Sequence, residues 1–281
     1  MTDTVPVEHT DDALDVGGLW TYRWGARRRP HLHPVRTPGG AVLTRDAPDD
    51  HPWHHGLWFT IKFVDEDNFW EEMAPYGVLR HDGPPEVEVR RDESVRVKGT
   101  LRWIRPDRET VAVHEQRELA HVPIDESAYA IDLDTTLVPT TAVRFDRTPF
   151  TTWGGYGGLA LRGSGDLVDT RLLLDSGAEQ ERVIGEPSRW VDLSGTVDGA
   201  SAGITMLDHP ANPRHPVPFY GSTRAATYGE GWSNFLNAAF LFHEPLDVGA
   251  GEPLRIRHRV VVHDGVWDAE RVEAAWSGWA G

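Results

Sequence analysis

The feature that most constrains this chain is a two-residue rhythm. Tyr129, Ile131, Leu133, Thr135 and Leu137 alternate with Asp132, Asp134 and Thr136. Successive side chains of an extended strand point to opposite faces, so such a run offers one face to a core and one to water. Leu254, Ile256, His258, Val260 and Val262 repeat the pattern against Arg255, Arg257 and Arg259. Val87 and Val89, followed after Asp92-Glu93-Ser94 by Val95, Val97, Leu101 and Trp103, predict a hairpin, and Val111 and Val113 continue the series. Helical spacing is nearly absent. One short helix is expected from Val266 to Trp276, with Asp264 as its cap. The 28 Gly and 20 Pro supply turns, and the chain reads as all-β. Its 281 residues suit two large packed sheets, whereas an eight-strand jelly roll would leave much of the chain unused. Residues 1–16 are acidic with few large apolar side chains and are expected to be disordered. Residues 17–281 are expected to form a single domain.

Composition removes several functions. The chain has no cysteine, which excludes disulfides and thiolate chemistry. Lys and Arg number 28 against 44 Asp and Glu, a formal charge of −16, and this opposes a nucleic-acid or anionic-membrane partner. No apolar run reaches the ~18 residues of a membrane span. Met1 to Asp15 lack the basic-then-apolar order of a secretory signal, so a cytoplasmic location is expected.

Histidine is unevenly placed. His31 and His33 share a strand face and resemble a metal pair, but Pro34-Val35-Arg36-Thr37-Pro38 follows with an arginine and no carboxylate, so no metal is expected there. The stretch Asp49-Asp50-His51-Pro52-Trp53-His54-His55-Gly56 runs into the apolar Leu57-Trp58-Phe59-Thr60-Ile61. This is a polar loop feeding a strand, where sites tend to lie. Its imidazoles can exchange protons near neutral pH, and Trp53 and Trp58 offer flat faces suited to a sugar. The structural alternative is a turn of solvated histidines over core tryptophans. Asp208-His209-Pro210 echoes Asp50-His51-Pro52 and continues through Asn212, Arg214 and His215. The two loops are expected to meet in one cleft. Glu115 and Arg117 share the face of Val111 and Val113, which reads as a cleft or, preferably, a buried ion pair. Trp153-Gly154-Gly155-Tyr156-Gly157-Gly158 lacks the lysine and the strand–loop–helix order of a phosphate loop and reads as a bend into Leu159-Ala160-Leu161-Arg162.

Arg29-Pro30, Pro34-Val35, Thr44-Arg45, Asp50-His51-Pro52-x-His54-x-x-Leu57-Trp58, Asp208-His209-Pro210-x-Asn212-Pro213-Arg214 and Val262-His263-Asp264-Gly265 occur in an order and spacing that resemble the soluble bacterial "methane oxygenase PmoA" family. The resemblance covers about residues 18–267. Trp53 and His55 stand where the family pattern has His and Arg, so the pocket is expected to suit a different ligand. The family name does not describe a function here, because membrane methane oxygenases are helical membrane proteins. The resemblance implies a galactose-mutarotase-like β-supersandwich, a small-molecule carbohydrate as ligand and a sugar oxidoreductase in the same pathway.

Three functions compete. The first is a carbohydrate-active enzyme without redox cofactor, acting by acid–base chemistry on a sugar or keto sugar: epimerisation, elimination or hydrolysis. Its acid and base would be His54 and His209, with Glu115 as a third member. Arg36 and Arg214 would hold oxygens of the ligand, Asp208 and Asn212 would orient it, and His33, His51, Trp53 and Trp58 would line the pocket. The second is a metal-dependent oxygenase with His51, His54 and His209 as ligands. The third is a non-catalytic carbohydrate-binding protein.

Overall fold

In a computed structural model of the chain, residues 5–25, 29–148, 155–223 and 234–281 are described. Among them two large antiparallel sheets pack face to face. The nine-stranded sheet runs Val7–His9, Ala13–Val16, Trp20–Arg23, His31–Val35, Leu57–Ile61, Gly157–Arg162, Phe235–Ala238, Pro218–Ser222 and Arg182–Pro187. The ten-stranded sheet runs Glu179–Gln180, Val168–Leu174, Trp190–Val197, Ala200–Asp208, Leu254–Asp264, Ala128–Pro139, Val111–Asp125, Val95–Ile104 and Val78–His81, with Glu86–Val89 also on Val95–Ile104. A four-stranded sheet joins Leu246–Val248, Val143–Asp146, Phe63–Val64 and Asp67–Asn68. The protein is an all-β, two-sheet supersandwich with one C-terminal helix.

The alternation dictates how the sheets meet. Ile131, Leu133 and Val260 point inward with Leu57, Phe59, Leu159, Leu161 and Leu236 of the opposite sheet, forming one apolar core. On the other face, Asp132 pairs with Arg259 and Asp134 with Arg255. The expected hairpin is present, with Val89 opposite Val95 and the turn closed by Arg90 N–H donating to Ser94 O.

Two expectations are corrected. Of residues 1–16, Met1 to Thr4 lie outside the described residues, but Val7–His9 and Ala13–Val16 form paired strands, and Leu14 and Val16 are buried in the core. Glu8 lies on the edge strand, and Asp11 and Asp12 lie in the turn between the two strands, where they remain hydrated. The helix spans Ala269–Ala280 and starts later than expected. Asp268 caps it by accepting from Arg271 N–H at 2.9 Å. Asp264 instead accepts from Gly39 N–H at 2.8 Å. The helix covers the outer face of the ten-stranded sheet, packing Val272 with Trp190, Leu207, Val261 and Trp267.

Candidate functional site

Strand parity builds the site. Leu57, Phe59 and Ile61 enter the core, so Trp58 between them must face outward; likewise Ala160 between Leu159 and Leu161, and Phe235 next to Leu236. This outer face of the nine-stranded sheet is apolar as well. Trp58, Trp70, Tyr156, Tyr220, Phe235 and Phe242 form a buried aromatic cluster on it, with Trp53 partly exposed at its side. Cross-strand register places His31 beside Trp58, Trp58 beside Ala160, and Arg162 beside Phe235. The small Ala160 leaves room for the indole.

The loop before Leu57 closes over this face. Arg45 N–H donates to Arg162 O, Arg162 N–H to Gly56 O and Gly56 N–H to Arg45 O, so the loop base is stitched to the sheet. Gly56 has φ +58°, and a Cβ there would lie 2.3 Å from Leu32 O, so only glycine fits. Inside the loop, His54 is buried at 1% exposure. Its ring stacks on His51 at 4.6 Å and on Phe235 at 5.3 Å, and tilts against Trp58 at 5.1 Å. Arg162 donates to Asp50 Oδ2 at 2.8 Å and to His54 Nδ1 at 3.5 Å. Burial drives the His54 pKa well below the usual imidazole range, and His51 and Arg162 add to this, so His54 is neutral. His51 is partly exposed, and its Nδ1 lies 2.7 Å from Asp50 Oδ2. A carboxylate so placed orients an imidazole for proton exchange at its other nitrogen.

A second polar group adjoins the first. His55 Nδ1 lies 2.7 Å from Asp46 Oδ1, and its Nε2 lies 3.2 Å from Glu72 Oε2. His31 faces the same carboxylate, with Nε2 3.7 Å from Asp46 Oδ1 and Nδ1 2.8 Å from Arg29 O. Burial lowers the His31 pKa to about 4. Burial works to raise that of Glu72, but the His55 hydrogen bond and the Arg29 charge outweigh it and bring it down to about 2. His33 is half-buried beside Thr44 Oγ1 at 2.9 Å; burial lowers its pKa, Asp46 opposes, and Arg23 and Arg36 assist. His31, Asp46 and His55 can converge on a cation.

The other expected site residues lie elsewhere. His209 stands against Trp279 of the helix, with its Nδ1 accepting from Ala211 N–H. It is thus on the ten-stranded side of the sandwich, while His54 is on the outer face of the nine-stranded sheet. The two loops do not meet in one cleft, no hydrogen bond, ion pair or ring contact joins them among the described residues, and neither the His54–His209 pair nor the His51–His54–His209 metal set forms. Asp208 is fully buried and receives Asn212 Nδ2, Val217 N–H and His215. Asn212 also exchanges hydrogen bonds with the Arg257 backbone. Arg214 donates to the carbonyls of Phe240, Glu244 and Pro245. These three residues tie loops together, their polar atoms spent on one another and on backbone. Glu115 is a core residue at 1% exposure, engaged by Arg117 at 2.6 Å, Trp103 Nε1 at 2.7 Å and Thr135 Oγ1 at 2.6 Å. It cannot reach a ligand at His54, and the ion-pair reading holds. Arg36 is half-buried near His33, its carbonyl accepting from Tyr129 O–H. Trp153 and Gly154 of the glycine-rich stretch lie outside the described residues; Gly157–Arg162 is the strand expected to follow it.

A groove of about 690 Å³ lies on the outer face of the ten-stranded sheet. Among its charges, Glu118 pairs with Arg96 and Lys98, and Asp134 with Arg255, and no histidine lines it.

Sandwich, aromatic face and carboxylate–imidazole loop together define an all-β protein with a histidine-centred candidate site. Residues 13–277 match the model of a family of unknown function, DUF6807, and the chain belongs to that family. No curated protein matches it. Among solved structures, it is similar to a galactose mutarotase related enzyme from Lactobacillus acidophilus (6% identity, 94% of this chain and 99% of that one covered, TM-score 0.43). It is also similar to an aldose epimerase homologue from C. elegans (11% identity, the same coverages, TM-score 0.36). No helix among the described residues is long and apolar enough to cross a membrane.

Proposed function

We propose that the protein is a carbohydrate-active enzyme using acid–base chemistry on a sugar or keto sugar, with epimerisation, elimination or hydrolysis as the reaction class. The observation that carries this reading is the Asp50–His51 pair, 2.7 Å apart and partly exposed, beside Trp53 at the margin of the aromatic cluster. Removing a proton next to a carbonyl needs a positioned base and an acid for the oxygen. His51 is the acid or base in this reading, Asp50 its positioning residue, and Arg162 holds Asp50 in place. Trp53 offers an indole face to the C–H side of a sugar ring. His54 supports the His51 ring from beneath and does not itself touch the ligand. A sugar oxidoreductase in the same pathway would supply a keto substrate.

The test is turnover of a panel of aldoses and 3-keto sugars. His51→Ala should lower it by about 10²–10⁴-fold, the usual loss on removing a general acid or base. Thermal unfolding should barely move, because the ring is partly exposed. Undiminished turnover by that variant would refute the role of His51.

A further inference from the structure

We propose that His31 Nε2, His55 Nδ1 and an Asp46 carboxylate oxygen form a binding site for a divalent transition-metal ion. The three ligand atoms lie within 4.8 Å of one another. Ligands around a tetrahedral ion with bonds of about 2.0–2.1 Å sit roughly 3.3 Å apart. The observed separations from Asp46 Oδ1, 2.7 Å to His55 and 3.7 Å to His31, bracket that spacing. Small side-chain rotations are enough to admit an ion.

Hydrogen-bond bookkeeping supports a cation at this point. His31 is 3% exposed, and its Nε2 has no hydrogen-bond partner. Its Nδ1 lies 2.8 Å from Arg29 O, which accepts only, so the proton is on Nδ1 and the Nε2 lone pair is directed at Asp46. A buried nitrogen with an unused lone pair is costly unless something accepts it. His55 lies between two carboxylates, Nε2 3.2 Å from Glu72 Oε2 and Nδ1 2.7 Å from Asp46 Oδ1, and with its proton on Nε2 it presents the Nδ1 lone pair to Asp46. In that tautomer two electron-rich atoms face each other, and a metal ion can take the place that a proton holds in the other.

The surroundings match those of metal ligands. A ligating histidine usually donates its other N–H to a carboxylate or a backbone carbonyl, which fixes the ring and raises its basicity. His55 has the carboxylate of Glu72 and His31 the carbonyl of Arg29. Arg29 holds Glu72 through Nε at 3.4 Å and is itself anchored on the carbonyls of Phe69 and Trp70. Two imidazoles and one carboxylate favour zinc, iron(II), cobalt or nickel over calcium and magnesium. Both rings are buried, whereas the Asp46 side chain is 18% exposed, so ion and water would enter from the Asp46 side. Three protein ligands with one open position describe a site able to hold a water or a ligand oxygen rather than a closed structural site. The inference stands on this geometry alone and does not depend on the carbohydrate reading.

The experiment is calorimetric titration of the chelator-treated full chain with Zn²⁺, and with Ca²⁺ as a hard-ion control. Co²⁺ added in parallel should develop the visible absorption of a low-coordinate ion with nitrogen ligands. One Zn²⁺ per chain is expected, with Ca²⁺ far weaker. Asp46→Asn and His31→Ala should each weaken Zn²⁺ at least 100-fold, and Glu72→Gln by 10–100-fold, the usual loss for an outer partner. His209→Ala should bind as the parent does. Asp46→Asn guards against a failure of His31→Ala to fold, since its side chain is partly exposed and nearly isosteric. Absence of stoichiometric Zn²⁺ binding would overturn the proposal. So would Zn²⁺ binding that survives Asp46→Asn in the folded protein, or a Ca²⁺ affinity equal to that for Zn²⁺.

Discussion

His54 and His55 are consecutive, yet each serves a different neighbourhood: His54 the aromatic rings of Trp58 and Phe235, His55 the carboxylates of Asp46 and Glu72. The sequence marks this loop clearly, since five polar or aromatic residues crowd from Asp50 to His55 ahead of an apolar strand. It does not mark Asp46, Glu72 or Arg162 as their partners. Those residues arrive through register and loop closure over as many as 112 positions, as in the Arg162–Asp50 bond, and no local spacing encodes that. Asp208, Asn212 and Arg214 mislead for the opposite reason. Polar side chains that fold a loop on itself have the same composition as ones that hold a ligand, and only their backbone partners tell them apart. Since His54 is buried, His54→Ala should cost about 1–3 kcal/mol of stability. Trp58→Ala, which empties the middle of the aromatic face, should cost about 3–5 kcal/mol. Urea unfolding of the two variants beside His51→Ala checks the order; a His54→Ala protein as stable as the parent would show that the ring has no supporting role.

Among the elements, the long alternating strands are the most legible. Tyr129 to Leu137 and Leu254 to Val262 take the faces that their side chains dictate, because a one-residue slip would expose the whole apolar set. The short strands Val7–His9 and Ala13–Val16 are hidden by acidic neighbours; their order comes from pairing with each other, from the pairing of Ala13–Val16 with Trp20–Arg23, and from the depth of Leu14 and Val16. Asp264, expected to cap the helix, is claimed by the Gly39 amide, and Asp268 four residues later caps it instead. Gly56 gives a prediction at this scale. A methyl group there meets Leu32 O at 2.3 Å and sits on a left-handed backbone, so Gly56→Ala should destabilise by more than about 1 kcal/mol. The shift should show in the unfolding midpoint together with lost proton exchange protection at Gly56 and Arg162. An unchanged midpoint would mean that the loop base is looser than the stitching of residues 45, 56 and 162 requires.

For the molecule as a whole, buried histidines set the response to acid. Burial lowers the pKa of His31 and of His121 to about 4, and burial with Arg117 lowers that of His81 to about 3. The unfolded chain takes up protons at these rings near pH 6.5, while the folded protein does not. Stability is therefore complete above about pH 6.5 and falls as the pH drops toward 4 and 3, by up to about 1.4 kcal/mol per pH unit for each such ring. Glu72, held near 2, adds a loss in the same direction below about pH 4.5. Melting temperatures measured between pH 8 and 4 should decline steadily below 6.5; a maximum near pH 5 would contradict the burial of these rings. The place of Gly157–Arg162 between Leu57–Ile61 and Phe235–Ala238 has a further consequence. The loop that carries the histidines is made in the first fifth of the chain, yet Arg162 and Phe235, which hold it, follow more than a hundred residues later. During synthesis at about 5–20 residues per second, the chain leaves the ribosome with its histidine loop long before that loop has a floor. The loop therefore gains its full set of contacts only after the strand Phe235–Ala238 has been made.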